Sequence, residues 1–116
     1  MLVEDHLAFR QALAFLLGRE PDLEVVAQAG SLAQARQVLG THLDVAVLDL
    51  ALPDGDGREL IGELRQGNAG ISVLVLSATI APGHLDEVVK AGADAVLHKE
   101  ASHPTIVEEV RRLAGR

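Results

Sequence analysis

Residues 44–57 read Asp-Val-Ala-Val-Leu-Asp-Leu-Ala-Leu-Pro-Asp-Gly-Asp-Gly, a short apolar run followed by a segment rich in glycine and aspartate. An unbroken run of β-branched and aliphatic residues such as 45–48 is typical of a strand buried on both faces of a parallel sheet. The run ends at Asp49, and the proline and glycines that follow predict a loop. Because open α/β sheets carry their ligand chemistry at the carboxyl ends of strands, Asp49 is the first candidate for a functional residue.

Strand-like and helix-like segments alternate along the rest of the chain. Apolar runs at 1–3, 23–29, 45–48, 71–76 and 95–97 are separated or followed by five segments with helical spacing of apolar residues. In the helix that Pro82 opens, we expect Leu85, Val88 and Val89 to face inward. This alternation predicts an α/β fold, a doubly wound parallel sheet with right-handed crossovers and helices on both faces. At 116 residues, the chain is predicted to form a single domain, 1–116.

Composition argues against several kinds of function. Seventeen acidic and ten basic residues give a net charge of -7, the opposite of what a phosphate-backbone binder needs. We therefore expect no nucleic-acid binding through this domain itself. The chain has no cysteine, which excludes disulfides, thiol catalysis and thiolate metal ligands. No apolar run approaches the ~18 residues of a membrane span, so we expect no membrane contact and a cytoplasmic location.

Polar residues follow four of the five predicted strands, and these are Glu4-Asp5, Asp49, Ser77 and His98-Lys99. Since the carboxyl ends of parallel strands share one edge, these side chains are expected to converge. Three neighbouring acids cannot all stay ionised cheaply, and oxygen ligands with spare water positions suit Mg²⁺. A carboxylate can attack phosphorus to form an acyl phosphate while a metal ion and Lys99 neutralise the phosphoryl oxygens. Ser77 is placed to hydrogen-bond one of those oxygens.

These residues resemble the receiver domain of two-component response regulators over essentially the whole chain. The resemblance is carried by Glu4-Asp5, Asp49, Pro53, Gly57, Ser77-Ala78, Gly92-Ala93-Asp94 and Lys99. It implies a flavodoxin-like (βα)5 fold with sheet order 2-1-3-4-5. It also implies that Asp49 is the phosphoacceptor, assisted by Lys99 and Ser77. The implied Mg²⁺ ligands are Asp5, Asp49 and the backbone carbonyl of Ala51, with Glu4 behind them and not bound to the ion itself.

The same resemblance implies partners. The phosphoryl donor is expected to be a sensor histidine kinase or a histidine phosphotransfer protein, and a homodimer is compatible with the family. Glu4-Asp5-His6, Phe9-Arg10 and Lys99-Glu100 are similar to the subgroup whose receivers precede a LuxR-type helix-turn-helix output domain. No such domain occurs in these 116 residues. DNA binding and regulation of transcription are therefore expected only through an output domain outside them.

The sequence departs from the family pattern at three places. Val96 stands where receivers usually carry an aromatic switch residue, and Glu100 stands where many carry a proline. Only Met1 to Val3 precede the first acids, so we expect a shortened central strand and either lower stability or a start site upstream. By resemblance, Ala51 and Thr79 are expected to tune how fast the acyl phosphate hydrolyses.

Two alternative functions each require features that the sequence largely lacks. A receiver-like interaction module that works without phosphorylation is favoured only by Val96 and the short first strand. A phosphohydrolase of the haloacid dehalogenase type would need a second acid where Ala51 stands. We therefore expect a signalling domain, which catalyses only its own phosphorylation and dephosphorylation. Asp54 and Asp56 are expected to form turns. The histidines have no metal-ligand spacing and are expected at the surface. Only His98, which is next to Lys99, is a candidate for a functional role.

Overall fold

The structure, a computed structural model, describes residues 1–78 and 81–115. Within these ranges the elements are β1 (Leu2–Val3), α1 (Leu7–Gly18), β2 (Gln28–Ala29), α2 (Leu32–Gln37), β3 (Val45–Asp49), β4 (Ala51–Leu52), β5 (Gly55–Asp56), α3 (Arg58–Gly67), β6 (Ser72–Ser77), α4 (Pro82–Lys90), β7 (Ala95–His98) and α5 (His103–Ala114).

Across the described ranges, five strands form one parallel sheet in the order β2-β1-β3-β6-β7. The two remaining strands, β4 and β5, form a small antiparallel hairpin of their own. Without that hairpin the order is 2-1-3-4-5, so the predicted doubly wound, flavodoxin-like sheet is confirmed. Asp49 pairs with Leu76, and Ser77 pairs with His98. This register places the ends of β3, β6 and β7 at one edge of the sheet.

Two apolar cores cover the two faces of the sheet, because successive side chains of a strand point to opposite faces. In β3, Ala46 and Leu48 join the core built with α2, α3 and α4, whose helical members are Leu32, Ala35, Leu60, Ile61, Leu64 and Val88. Val47 joins the opposite core, built with α1 and α5, whose helical members are Leu13, Leu17, Ile106, Val107, Val110 and Leu113. Strand β3 is therefore buried on both faces, as its unbroken apolar run predicts.

The structure differs from the sequence predictions at three places. The strand predicted over 23–29 is reduced to Gln28–Ala29. Its neighbour β1 has only two residues, so few ladder partners are available. The loop after Asp49 contains the β4–β5 hairpin, which the sequence analysis did not predict. Val89 was predicted to face inward but is 59% exposed, and within the described α4 only Val88 is fully buried.

Among the described residues no helix combines the length and the apolar character that crossing a membrane requires.

Candidate functional site

A cavity of about 330 Å³ opens at the carboxyl edge of the sheet. Its walls are formed by Asp5, His6, Asp49, Leu50, Ala51, Ser77, Ala78, His84 and Lys99. The residues that follow β1, β3, β6 and β7 thus meet around one hollow, although they are far apart in sequence. Glu4 lies next to this cavity, where its side chain bonds to Lys99.

The Asp49 carboxylate lies at the end of β3 and is only 6% exposed. Its Oδ1 accepts a hydrogen bond from the backbone N–H of Ala51 at 3.1 Å. Its Oδ2 accepts a hydrogen bond from the Lys99 ammonium at 3.0 Å. The carboxylate is therefore fixed from both sides while it still borders the cavity.

The Lys99 ammonium is enclosed by three acceptors. Its Nζ lies 2.7 Å from Glu4 Oε1, 3.0 Å from Asp49 Oδ2 and 2.9 Å from His6 Nδ1. Nζ also lies 5.2 Å from the centre of the Phe9 ring, within the range of a cation–π interaction. Burial acts to lower the pKa of Lys99, but the hydrogen bonds to Glu4 and Asp49 outweigh it, so this pKa is raised. Lys99 is therefore held as a cation between two acids.

Glu4 is almost completely buried, with 1% of its surface exposed. Oε1 accepts hydrogen bonds from Lys99 and from the backbone N–H of His6, whereas Oε2 has no hydrogen-bond partner in the described part of the chain. Burial raises the pKa of the Glu4 carboxyl, although the bond from Lys99 opposes this. A buried carboxylate oxygen without a partner costs free energy, which a cation or an ordered water molecule can recover.

The donors at this edge fit a divalent cation. Glu4, Asp5 and His6 each offer one ligand atom, and these atoms lie within 4.8 Å of one another. Asp5 is exposed, while Glu4 contributes the buried, partnerless oxygen described above. Carboxylate oxygens suit Mg²⁺ and Ca²⁺. The Lys99 ammonium lies between Glu4 and Asp49 and bonds to both, and the predicted role of Asp49 as a metal ligand stays a prediction.

Ser77 ends β6 and is 4% exposed. Its Oγ lies 3.2 Å from Nε2 of His84, in the first turn of α4. His6 is exposed, as predicted for the histidines, and His84 is partly exposed, but both line the cavity, whereas the sequence singled out His98. His98 does not line it; its Nδ1 accepts a hydrogen bond from the backbone N–H of Glu100. No spacing in the sequence could reveal His84, because its approach to Ser77 depends on how the first turn of α4 packs against the end of β6.

The segment after Asp49 is fastened to α2. Asp54, predicted to form a turn, accepts hydrogen bonds from the backbone N–H groups of Leu32 and Ala33 at 2.8 and 3.0 Å. These bonds complete the helix start, where Ser31 accepts from the N–H of Gln34. Backbone bonding from Ala33, and then from Leu32, lowers the pKa of Asp54. The loop that borders the cavity is thus held by a neighbouring helix.

A family comparison now identifies the domain. The family model described as "Response regulator receiver domain" matches residues 1–111. The chain belongs to the response regulator receiver domain family. This family acts in two-component signalling, and its members are signalling proteins and not classical enzymes.

Individual relatives of this receiver support the assignment. It is 39% identical to the transcriptional regulatory protein UhpA of Salmonella typhimurium, over 97% of this chain and 57% of that protein. The receiver thus spans a little over half the length of that curated relative. A crystal structure of a LuxR-family two-component response regulator from Aurantimonas superposes with a TM-score of 0.87 and 30% identity, covering 100% of this chain and 84% of that one. The predicted resemblance to the LuxR-type subgroup is confirmed.

A second solved structure is similar to the receiver over nearly its whole length. A response regulator from Burkholderia pseudomallei, with a phosphorylated aspartic acid, a calcium ion and citrate, matches with a TM-score of 0.85 and 27% identity. The match covers 98% of this receiver and 66% of that chain.

Val96 and Thr79 are two further positions predicted to influence signalling. Val96 lies in β7 and packs, partly buried, against the core on the α2–α3–α4 side. Thr79, predicted to tune hydrolysis, lies outside the described residues.

Proposed function

We propose that this receiver, with residues 1–116 as its domain, accepts a phosphoryl group on Asp49 beside a bound Mg²⁺. The observation that carries the proposal is the Lys99 ammonium, held 3.0 Å from Asp49 Oδ2 at the wall of the cavity of about 330 Å³. A fixed cation beside a carboxylate nucleophile is placed where negative charge develops during phosphoryl transfer. The donor is a sensor histidine kinase or a histidine phosphotransfer protein.

The transfer forms one bond and breaks another. A carboxylate oxygen of Asp49 attacks the phosphorus of a phosphohistidine, a P–O bond forms, and the P–N bond breaks to release the imidazole. Lys99 neutralises a phosphoryl oxygen, and the Ser77 hydroxyl donates a hydrogen bond to another. Asp5, Asp49 and the backbone carbonyl of Ala51 would hold the metal ion, and Glu4 would lie behind them without binding it. When bound, the ion supplies further charge neutralisation on the phosphoryl oxygens.

The output follows from the added charge. A phosphoryl group on Asp49 attracts Ser77 and Lys99 and shifts the surface formed by α4, β7 and α5, a local charge event that biases a two-state element. Because the relative from Salmonella is a transcriptional regulatory protein of which only 57% matches this receiver, we propose that the surface controls a DNA-binding output domain. The receiver itself, with a net charge of -7, is not expected to contact DNA.

A module that works without phosphorylation is the second candidate. It is supported by Val96 at the expected aromatic position and by a first strand of only two residues. In such a module the acidic cavity would be retained without phosphoryl uptake.

One measurement separates these functions. The protein is incubated with Mg²⁺ and acetyl phosphate, and its mass is determined. A receiver gains one acid-labile phosphate, which Asp49→Asn loses and the exposed control Asp86→Asn keeps. An interaction module gains none, and a phosphohydrolase turns over many equivalents; either result would refute the proposed function.

A further inference from the structure

His84 joins the cavity to helix α4. Its Nε2 lies 3.2 Å from Ser77 Oγ, and its ring forms part of the same wall as Asp49 and Lys99. His84 is the third residue of α4, whose first residue is Pro82. A side chain in the first turn of this helix therefore reaches back to the last residue of the preceding strand.

The other attachments of α4 are weak. Within the described helix only Val88 is fully buried, and the N-cap residue Ala81 provides no side-chain hydrogen bond. A second polar link joins Glu87 to Arg58 at 2.9 Å, but these side chains are 63% and 38% exposed. Exposed ion pairs of this kind contribute little to stability. The bond to the buried Ser77 is therefore the polar contact best placed to hold the first turn.

We infer that His84 is the positioning residue that transmits the state of Ser77 to α4. This inference rests on the proposed phosphorylation of Asp49. A serine hydroxyl has a single proton to donate. In the resting protein we assign this proton to the bond with His84 Nε2, which lies 3.2 Å from Ser77 Oγ. Phosphoryl oxygens are acceptors only, so Ser77 must give them that same proton when Asp49 is phosphorylated.

When Ser77 donates its proton to the phosphoryl group, one of two changes follows at His84. The ring loses its bond to Ser77, or it keeps contact only after its own proton moves to Nε2, so that Nε2 becomes the donor. Both outcomes change the force on the first turn of α4. Val96 has no polar atom that could provide such a link from β7, so His84 supplies a route that the aromatic position does not.

The first test compares the resting and the phosphorylated protein. Nitrogen-15 NMR of the histidine rings reports whether Nε2 of His84 carries a proton. We expect an unprotonated Nε2 that accepts from Ser77 in the resting state. After phosphorylation with acetyl phosphate and Mg²⁺, we expect either a protonated Nε2 or loss of the hydrogen-bond shift. An Nε2 with the same protonation and the same hydrogen-bond shift in both states would overturn the inference.

The second test measures hydrogen exchange of the amides of α4. His84→Ala should speed exchange in the resting state about fivefold, the ratio that corresponds to one net hydrogen bond of ~1 kcal/mol. It should also remove most of the change that phosphorylation causes in α4. His84→Gln, whose amide can still bond to Ser77, should restore slow exchange. His42→Ala, an 87% exposed histidine, is the control and should change nothing in α4.

The mass of each sample keeps the two proposals distinguishable. Wild-type protein and His84→Ala should both gain one phosphate. If the wild type gains none, the proposed function fails, and the resting-state exchange of α4 still tests the bond to Ser77. If His84→Ala keeps the full phosphorylation-induced change in α4, or fails to gain phosphate while it remains folded, the coupling role is refuted.

Discussion

Replacing Lys99 by methionine tests the electrostatic centre of the cavity. Methionine retains most of the apolar length of the lysine and removes the charge. The change leaves Glu4 Oε1 and Asp49 Oδ2 without the ammonium that lies 2.7 and 3.0 Å from them. Both acids remain buried, since only 1% of the surface of Glu4 and 6% of the surface of Asp49 is exposed. Water can therefore replace the lost cation only in part.

The expected loss follows from these contacts. Removing one partner of a buried ion pair costs ~3–5 kcal/mol, and the 16% exposure of the Lys99 side chain favours the lower end, about 3 kcal/mol. A domain has roughly 5–15 kcal/mol of stability, so the variant should still fold. At ~4 °C per kcal/mol for a domain of this size, the melting temperature should fall by about 12 °C.

The pH dependence has a definite sign. The pKa of Lys99 is raised in the folded protein, so its stabilisation is complete below the unfolded value of ~10.4 and is lost as the pH rises through the folded value. In Lys99→Met, the stability at acidic pH is the informative quantity. Because burial raises the pKa of Glu4, acidification towards pH ~4 lets this carboxyl take up a proton and should reduce the cost of the substitution.

Thermal and urea denaturation of wild type, Lys99→Met and Lys90→Met measure these effects. Lys90 is the only other lysine and lies, exposed, at the end of α4, so its substitution should leave stability nearly unchanged. Millimolar Mg²⁺ should stabilise Lys99→Met more than wild type, because the ion replaces the missing positive charge. Equal melting temperatures for Lys99→Met and Lys90→Met would refute this account of the cavity.

Two further substitutions test how the loop after Asp49 is held. In Gly57→Ala the new Cβ would lie 2.7 Å from the Asp49 carbonyl oxygen and 3.0 Å from Leu50 Cα, so urea denaturation should show a loss of ~1–3 kcal/mol. Gly62→Ala, with open space around its Cβ, should be neutral or stabilising, and equal effects of the two changes would contradict the steric argument. Asp54→Ala should destabilise α2 at neutral pH because two backbone N–H groups lose their acceptor. Because the pKa of Asp54 is lowered in the folded protein, its stabilisation is present above the unfolded pKa of ~3.9 and is lost as the pH falls through the folded pKa. A stability difference between wild type and Asp54→Ala that persists below the folded pKa would contradict this.

Much of the architecture was predictable because its signals are local. The run 45–48 predicted a strand buried on both faces, and β3 contributes alternate residues to the two cores. The order of strands and helices predicted a parallel sheet, and a parallel sheet brings the ends of its strands to one edge. That geometry explains why Asp5, Asp49, Ser77 and Lys99 border one cavity.

The predictions that failed concern contacts between distant segments. Residues 23–27 have the composition of a strand, but β1 is too short to pair with them. Asp54 lies in a turn, as predicted, but its bonds from the N–H groups of Leu32 and Ala33 were not predicted, because those residues belong to a helix more than 20 residues earlier in the chain. The contact between His84 and Ser77 depends on how the first turn of α4 packs against the end of β6, which periodicity does not fix.

The sequence alone therefore determined the alternation of sheet strands and helices, the burial of β3 on both faces and the edge at which the acids, the serine and the lysine gather. Only the tertiary structure decided that the Lys99 ammonium lies between Glu4 and Asp49, residues 95 and 50 positions away in the chain, and that His84 bonds to Ser77. The physical reason is the difference between local sequence signals and contacts between distant parts of the chain. Hydrophobic periodicity is set by neighbouring residues, whereas a hydrogen bond near 3 Å depends on how whole elements and side-chain rotamers pack together.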